Sequence, residues 1–155
     1  MRLPLALCAG MAIVLPTTAF GFGGPAARST TVASAHVVKM LNNGASGMMV
    51  FEPNLLRIRQ GDSVTFMPVD LGHNAESIDG MLPAGAMPFK GSMGKAFTVT
   101  FTKSGLYGFK CAPHASMGMV GLIVVGNPAN LAQAKTIALP GRAKIVMAKL
   151  LGAVQ

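Results

Sequence analysis

From His36 onward, apolar and polar residues alternate in short runs separated by turn residues. "HVVKML" (36–41) opens the pattern, and the loop "NNGASG" follows it. "MMVFEP" (48–53) and "LLRIRQ" (55–60) come next, and "LRIR" alternates as a half-buried strand does. After the turn at Gln60-Gly61-Asp62, "SVTFMPV" (63–69) is again extended, with β-branched and aromatic residues. "KAFTVTFT" (95–102) sets Phe97, Val99 and Phe101 on one face against Thr98, Thr100 and Thr102 on the other. Beyond a turn at Lys103-Ser104-Gly105, "LYGFKC" (106–111) and "MVGLIVVG" (119–126) complete the series. Short strands with turns at this spacing predict an all-β sandwich of about eight strands.

Two stretches depart from that pattern. Residues 70–94 are rich in Gly, Pro and Met and lack a period, which predicts a long irregular excursion of functional weight. After Asn127-Pro128 the spacing turns helical: Asn127 is the expected cap, with Pro128 at the first helical position. Pro140-Gly141 splits the tail, and Val146 with Leu150 and Met147 with Leu151 pair at i, i+4. Two C-terminal α-helices packed on the sandwich are expected.

The N-terminus reads as an export signal, with "LPLALCAGMAIVL" (3–15) as an apolar run too short to span a bilayer. Cleavage fits after Ala19 ("TTA") or after Ala35 ("ASA"). The expected division is therefore a signal and N-terminal segment over 1–35, a core domain over 36–126 and a helical tail over 127–155. No Arg-Arg pair precedes the apolar run, which argues against twin-arginine export. Counted from His36, eleven of the thirteen Lys and Arg and all five acids remain, a surplus of six positive charges. Such a field favours anionic partners. Scattered basic residues, one Tyr and no Trp argue against nucleic acid.

Export leaves one cysteine. Cys8 lies in the apolar run, and Leu7 before it spoils a lipoprotein-type site, so no membrane anchor is expected. Cys111 then stands alone in an oxidising compartment, as an inert core thiol, an intermolecular pair, a nucleophile or a metal ligand. In "KCAPHASMGMVG" (110–121) a His stands three places after it and a Met eight places after it. His73 is the other interior histidine, and His36 is expected as an exposed terminal residue. Two His, one Cys and a weak Met match the trigonal site of blue-copper proteins, whereas zinc has little use for a thioether.

These residues resemble the pseudoazurins, a group within the cupredoxin family of small blue-copper electron carriers. The likeness runs from about Val37 to the end and rests on "MVFEP" (49–53), "GDSVTF" (61–66), "GHN" (72–74), "GLYGFKCAPH" (105–114), "MGMVGLIVVG" (117–126) and "PANL" (128–131). The resemblance implies a cupredoxin Greek-key β-sandwich and one type 1 copper ion held by His73, Cys111, His114 and Met119. Met117 is the competitor for the axial place. The resemblance also implies that Asn74 ties the two ligand loops and aims its backbone N–H at the sulfur, and that Pro113 and Met49 pack near His114. Docking falls to an apolar patch including Met117, Ala115 and Pro68, with Lys90 and Lys110 at its edge. Lysine is common in the family at the positions of Asn43 and Leu71.

The function implied is a periplasmic, monomeric electron carrier, not an enzyme, donating single electrons through the edge of His114. Copper nitrite reductase is the implied partner in a denitrification setting, with cytochromes and nitrous-oxide reductase as alternatives. Two other functions compete. The methionines fit copper storage or delivery, which predicts a tight methionine cluster. A thiol enzyme with Cys111 as nucleophile would need an orienting group for its histidine and a substrate cleft.

Overall fold

The computed structural model describes residues 32–154. The apolar leader, Cys8 and the cleavage point after Ala19 lie outside the described residues.

Among the described residues, eight strands form two mixed four-stranded sheets. The first holds β1 (Ala35–Gly44), β2 (Gly47–Glu52), β4 (Ser63–Pro68) and β6 (Phe97–Thr100), in the order β2-β1-β4-β6. The second holds β3 (Leu55–Ile58), β5 (Glu76–Ser77), β7 (Gly105–Lys110) and β8 (Val120–Val125), in the order β3-β8-β7-β5. β1 runs parallel to β4 and β3 parallel to β8; the other pairs are antiparallel. The alternation read in the sequence is the alternation between the two faces of these sheets. Val38 and Met40 of β1, Val64 and Phe66 of β4, and Tyr107 and Phe109 of β7 meet in the space between them. Phe66 lies at the centre, its ring centroid 5.1 Å from Phe97, 5.2 Å from Phe109 and 5.6 Å from Phe89.

β8 does not alternate, because every one of its residues is buried. Ile123 and Val125 face the inter-sheet core, while Val120, Leu122 and Val124 are covered by the helical tail. A strand buried on both faces reads as a continuous apolar run. The cover comes from α2 (Arg142–Gly152), whose Ala143, Met147, Leu150 and Leu151 are buried at i, i+4 spacing as expected.

The first tail helix departs from expectation. α1 spans only Leu131–Ala134, and its cap position is Asn130, not Asn127. Asn130 makes no side-chain cap. Its amide instead accepts the Leu106 N–H (2.8 Å) and donates to the Leu106 carbonyl (2.9 Å). β5 is too short to reach that part of β7, so the asparagine supplies the missing backbone partners.

The excursion over 70–94 is irregular but tethered. Ile78 donates to Gly108, Gly108 to Met81, and Gly91 to Ala75, all at 2.9 Å. At the opposite end of β1, Ser34 already belongs to the fold: its N–H donates to Asp62 Oδ1 (2.7 Å). His36 is not an exposed terminal residue. Its Nε2 lies 3.1 Å from Asp62 Oδ2. Asp62 is buried and also accepts the Arg59 N–H. Its carboxyl is held well below the usual carboxylate range, chiefly by the Ser34 N–H and then by His36 and the Arg59 N–H.

Candidate metal centre

Two loops meet at the end where β1, β4 and β7 finish. The first leaves β4 and is stitched to β1: Val69 and Asp70 donate to the Met40 carbonyl (3.2 and 3.3 Å), and Asp70 Oδ2 accepts the Asn42 N–H (2.7 Å). That delivers His73, fully buried, to the end of the sandwich. The second is the β7–β8 hairpin. Its ladder continues one step past the strands, where Cys111 N–H donates to the Met119 carbonyl (3.0 Å). His114 closes the loop, its carbonyl accepting from both Met117 (3.1 Å) and Met119 (3.2 Å) around a 3₁₀ turn at Ala115–Met117. Cys111 and Met119 are fully buried, while His114 is half-exposed.

The side chains converge. Cys111 Sγ is 3.8 Å from His73 Nδ1 and 3.5 Å from His114 Nδ1, and the two Nδ1 atoms are 3.2 Å apart. His73 Nε2 donates to Asn42 Oδ1 at 2.9 Å. That bond puts the proton of the neutral ring on Nε2 and leaves a lone pair on Nδ1, aimed at the other two donors. Burial, and then the neighbouring His114, lower the His73 pKa and keep the ring neutral. Burial pushes the Cys111 thiol up, while the N–H groups of Asn74 and His114 pull it back. Two imidazole Nδ1 atoms and a buried sulfur at these separations fit a soft cation at their centre. The donor set is that of copper.

Asn74 Oδ1 accepts the Ala112 N–H (2.9 Å), joining the two loops. Pro113 is exposed, Ala115 half-buried and Met117 45% exposed, so these residues face outward around the turn; Pro68, at the end of β4, is half-buried. Met117 therefore points away from the buried position that Met119 holds. Met49 is half-buried against the core that contains Cys111 and Met119, on a left-handed backbone (φ 52°). Leu71 is 85% exposed.

Sequence reasoning missed two contributors. Asn42, read as loop, fixes the His73 tautomer; nothing local to it signals that role. Glu76 holds both lysines assigned to docking, 3.3 Å from Lys90 Nζ and 3.5 Å from Lys110 Nζ. An acid three places after His73, in a chain with five acids, was the available signal. The competing functions fit poorly. A fully buried Cys111 offers no surface to a substrate, and the methionines are dispersed: Met40 and Met119 in one core, Met81 and Met147 in the other, five more exposed.

Comparison with known proteins agrees with the geometry. A sequence profile described as copper-binding proteins of the plastocyanin/azurin family matches residues 38–126. The chain is 45% identical over 139 residues to a pseudoazurin of Paracoccus pantotrophus, covering 89% of each. It is 49% identical over 134 residues to one of Methylorubrum extorquens, covering 86% of this chain and 84% of the relative. The crystal structure of pseudoazurin from Methylobacterium extorquens superposes with a TM-score of 0.76 at 48% identity, over 78% of this chain and 99% of that one. That of Hyphomicrobium denitrificans gives 0.75 at 42%, over 78% and 98%. A buried thiol, two convergent imidazoles and these relatives lead to one conclusion: the chain belongs to the plastocyanin/azurin family of copper-binding proteins, with the pseudoazurins, which are electron-transfer proteins carrying one type 1 copper.

Proposed function

We propose that this protein is a periplasmic electron carrier in which His73, Cys111, His114 and Met119 hold the copper and His114 is the exit for the electron. The observation that carries the reading is the asymmetry of the two histidines. His73 is buried and locked by Asn42, whereas His114 reaches the surface amid Pro113, Ala115 and Met117. Bound copper would supply the one-electron couple; the chain supplies donors whose loops are tied together by the fold. Asn74 fixes the distance between the ligand loops, and the rigid hairpin fixes Cys111 against Met119.

Docking uses the apolar ring around His114, with Pro68 and Met117 at its margin. Lys90 and Lys110 lend it a weak positive rim, since Glu76 offsets part of their charge. A small contact of this kind suits a quickly exchanging redox partner, with less than about 1,200 Å² buried. Copper nitrite reductase is the proposed acceptor, and cytochromes or nitrous-oxide reductase are the alternatives. Export follows from the N-terminal leader. Of the two cleavage points, the one after Ala19 preserves Ser34 and its bond to Asp62, while the one after Ala35 removes it. No helix among the described residues is long and apolar enough to cross a membrane.

The test is stopped-flow mixing of the reduced protein with oxidised copper nitrite reductase. Rapid, saturable oxidation that Met117→Asp slows roughly ten-fold supports the reading. Oxidation no faster than by an unrelated copper enzyme overturns the choice of acceptor.

A further inference from the structure

Beside the His114 patch, a second surface continues it. The 3₁₀ turn at Ala115–Met117 rests directly on the start of α2. Gly141 (φ 53°) approaches so closely that a Cβ there would lie 2.5 Å from the Ser116 carbonyl oxygen. On the other side, a Cβ at Gly118 (φ 102°) would lie 3.2 Å from Val146 Cγ2 and 3.4 Å from Arg142 Cβ. The copper loop and the N-terminal half of α2 are thus one packed unit.

Between that unit and the β1–β2 hairpin runs a groove of about 310 Å³. Three large apolar side chains line it while still exposed: Met48 (67%), Met117 (45%) and Ile145 (71%). Arg142 and Lys149 line it too, and no acidic residue does. Neither cation forms an ion pair among the described residues. The tail from Asn127 to the end carries four cations and no acid. The acid on the hairpin, Glu52, is turned to the Ala45 N–H instead. Lys90 and Lys110, by contrast, share Glu76. The uncompensated positive charge next to the copper loop therefore lies on α2.

We propose that the docking face extends from His114 across Met117 into this β2–α2 groove, and that the partner presents an acidic surface with an apolar side chain at its tip. The proposal rests on the electron-carrier reading and deepens it. Apolar contact in the groove sets dwell time, while Arg142 and Lys149 steer carboxylates toward it. Because α2 is packed on the turn at Gly118 and Gly141, a partner seated there is held in fixed register with His114.

The experiment pairs the double variant R142E/K149E with amide-shift mapping of the reduced, isotope-labelled protein titrated with copper nitrite reductase. Both positions are exposed; R142E places an acid at the favourable start of α2, K149E replaces a cation in its last turn, and circular dichroism verifies that the fold is kept. The visible spectrum and the rate of reduction by an uncharged quinol serve as controls and stay as in the wild type. The expected result is a roughly ten-fold slower bimolecular rate, together with amide shifts over 47–50 and 142–149 as well as 113–117. An unchanged rate, or shifts confined to 113–117, overturns the groove while the carrier reading stands. Absence of both shifts and electron transfer in the wild type overturns the groove together with the proposed acceptor.

Discussion

The same pair of parallel strands, β1 and β4, ends in a polar cluster at each pole, and each cluster contains a histidine. At the start of the pair, His36 meets the carboxylate of Asp62, which also takes the Ser34 and Arg59 N–H groups. At the far end, roughly 20 Å along β1, His73 meets the amide of Asn42, and its other nitrogen faces Cys111 and His114. The carboxylate is the hub of the first cluster: Asp62 gathers the Ser34 N–H, the Arg59 N–H and His36 Nε2 on its two oxygens. A neutral amide does something else: it takes one N–H, fixes the tautomer and leaves the second nitrogen free for a ligand. The first pole ties the strands together, and the second presents donors of defined chemistry.

Exchanging the features that distinguish the poles tests the contrast. The largest effect is expected from Cys111→Ser, which leaves imidazole and oxygen donors at the copper end. The intense thiolate-to-copper absorption should disappear completely while circular dichroism shows the sandwich intact. Next comes Asn42→Ala, which strips the His73 tautomer of its partner. Copper affinity should fall by about 10–100-fold, measured by competition with a chelator. Asn42→Asp goes further and gives the copper pole the carboxylate of the other. A more basic imidazole favours Cu(II), so voltammetry should show a lower reduction potential.

Asp62→Asn acts at the other pole, and its effect is on stability alone. The folded carboxyl titrates below its unfolded value of about 3.9, so its contribution is complete above about pH 4 and is lost as the pH falls through the folded value. Urea unfolding should show the variant less stable at pH 7, with the gap to wild type narrowing as acid is added below pH 4. The copper spectrum should not change. His36→Gln should have the smallest effect, because Asp62 keeps its two main-chain donors. A change in the copper spectrum in either variant contradicts the separation of the poles.

The parts of this structure that were legible in the sequence are those governed by local period or short spacing. Phe97, Val99 and Phe101 announced β6 by alternation, and Met147 with Leu151 announced the buried face of α2. The hairpin from Cys111 to Met119 was readable because its donors lie within nine residues of chain. His73 was named through the family resemblance, since the parallel pairing of β1 with β4 that carries it to Cys111 leaves no local mark. The same holds for Asn42, for Glu76 beneath its two lysines, and for His36 with Asp62: each pairing spans 14 or more positions. Asn130 shows the converse failure. The tail promised a cap at Asn127, but the gap that decided the matter lies on β7, whose neighbour β5 is only two residues long.

The copper site is tested most directly by visible absorption with electron paramagnetic resonance, as one equivalent of Cu(II) is added to the metal-free protein. A Cys111-ligated copper gives a strong thiolate-to-copper band with narrow copper hyperfine splitting, bleached by ascorbate, restored by oxidant and absent from Cys111→Ser. A weak, ordinary cupric spectrum at full occupancy would contradict that ligation, as would an intense band that survives the loss of Cys111.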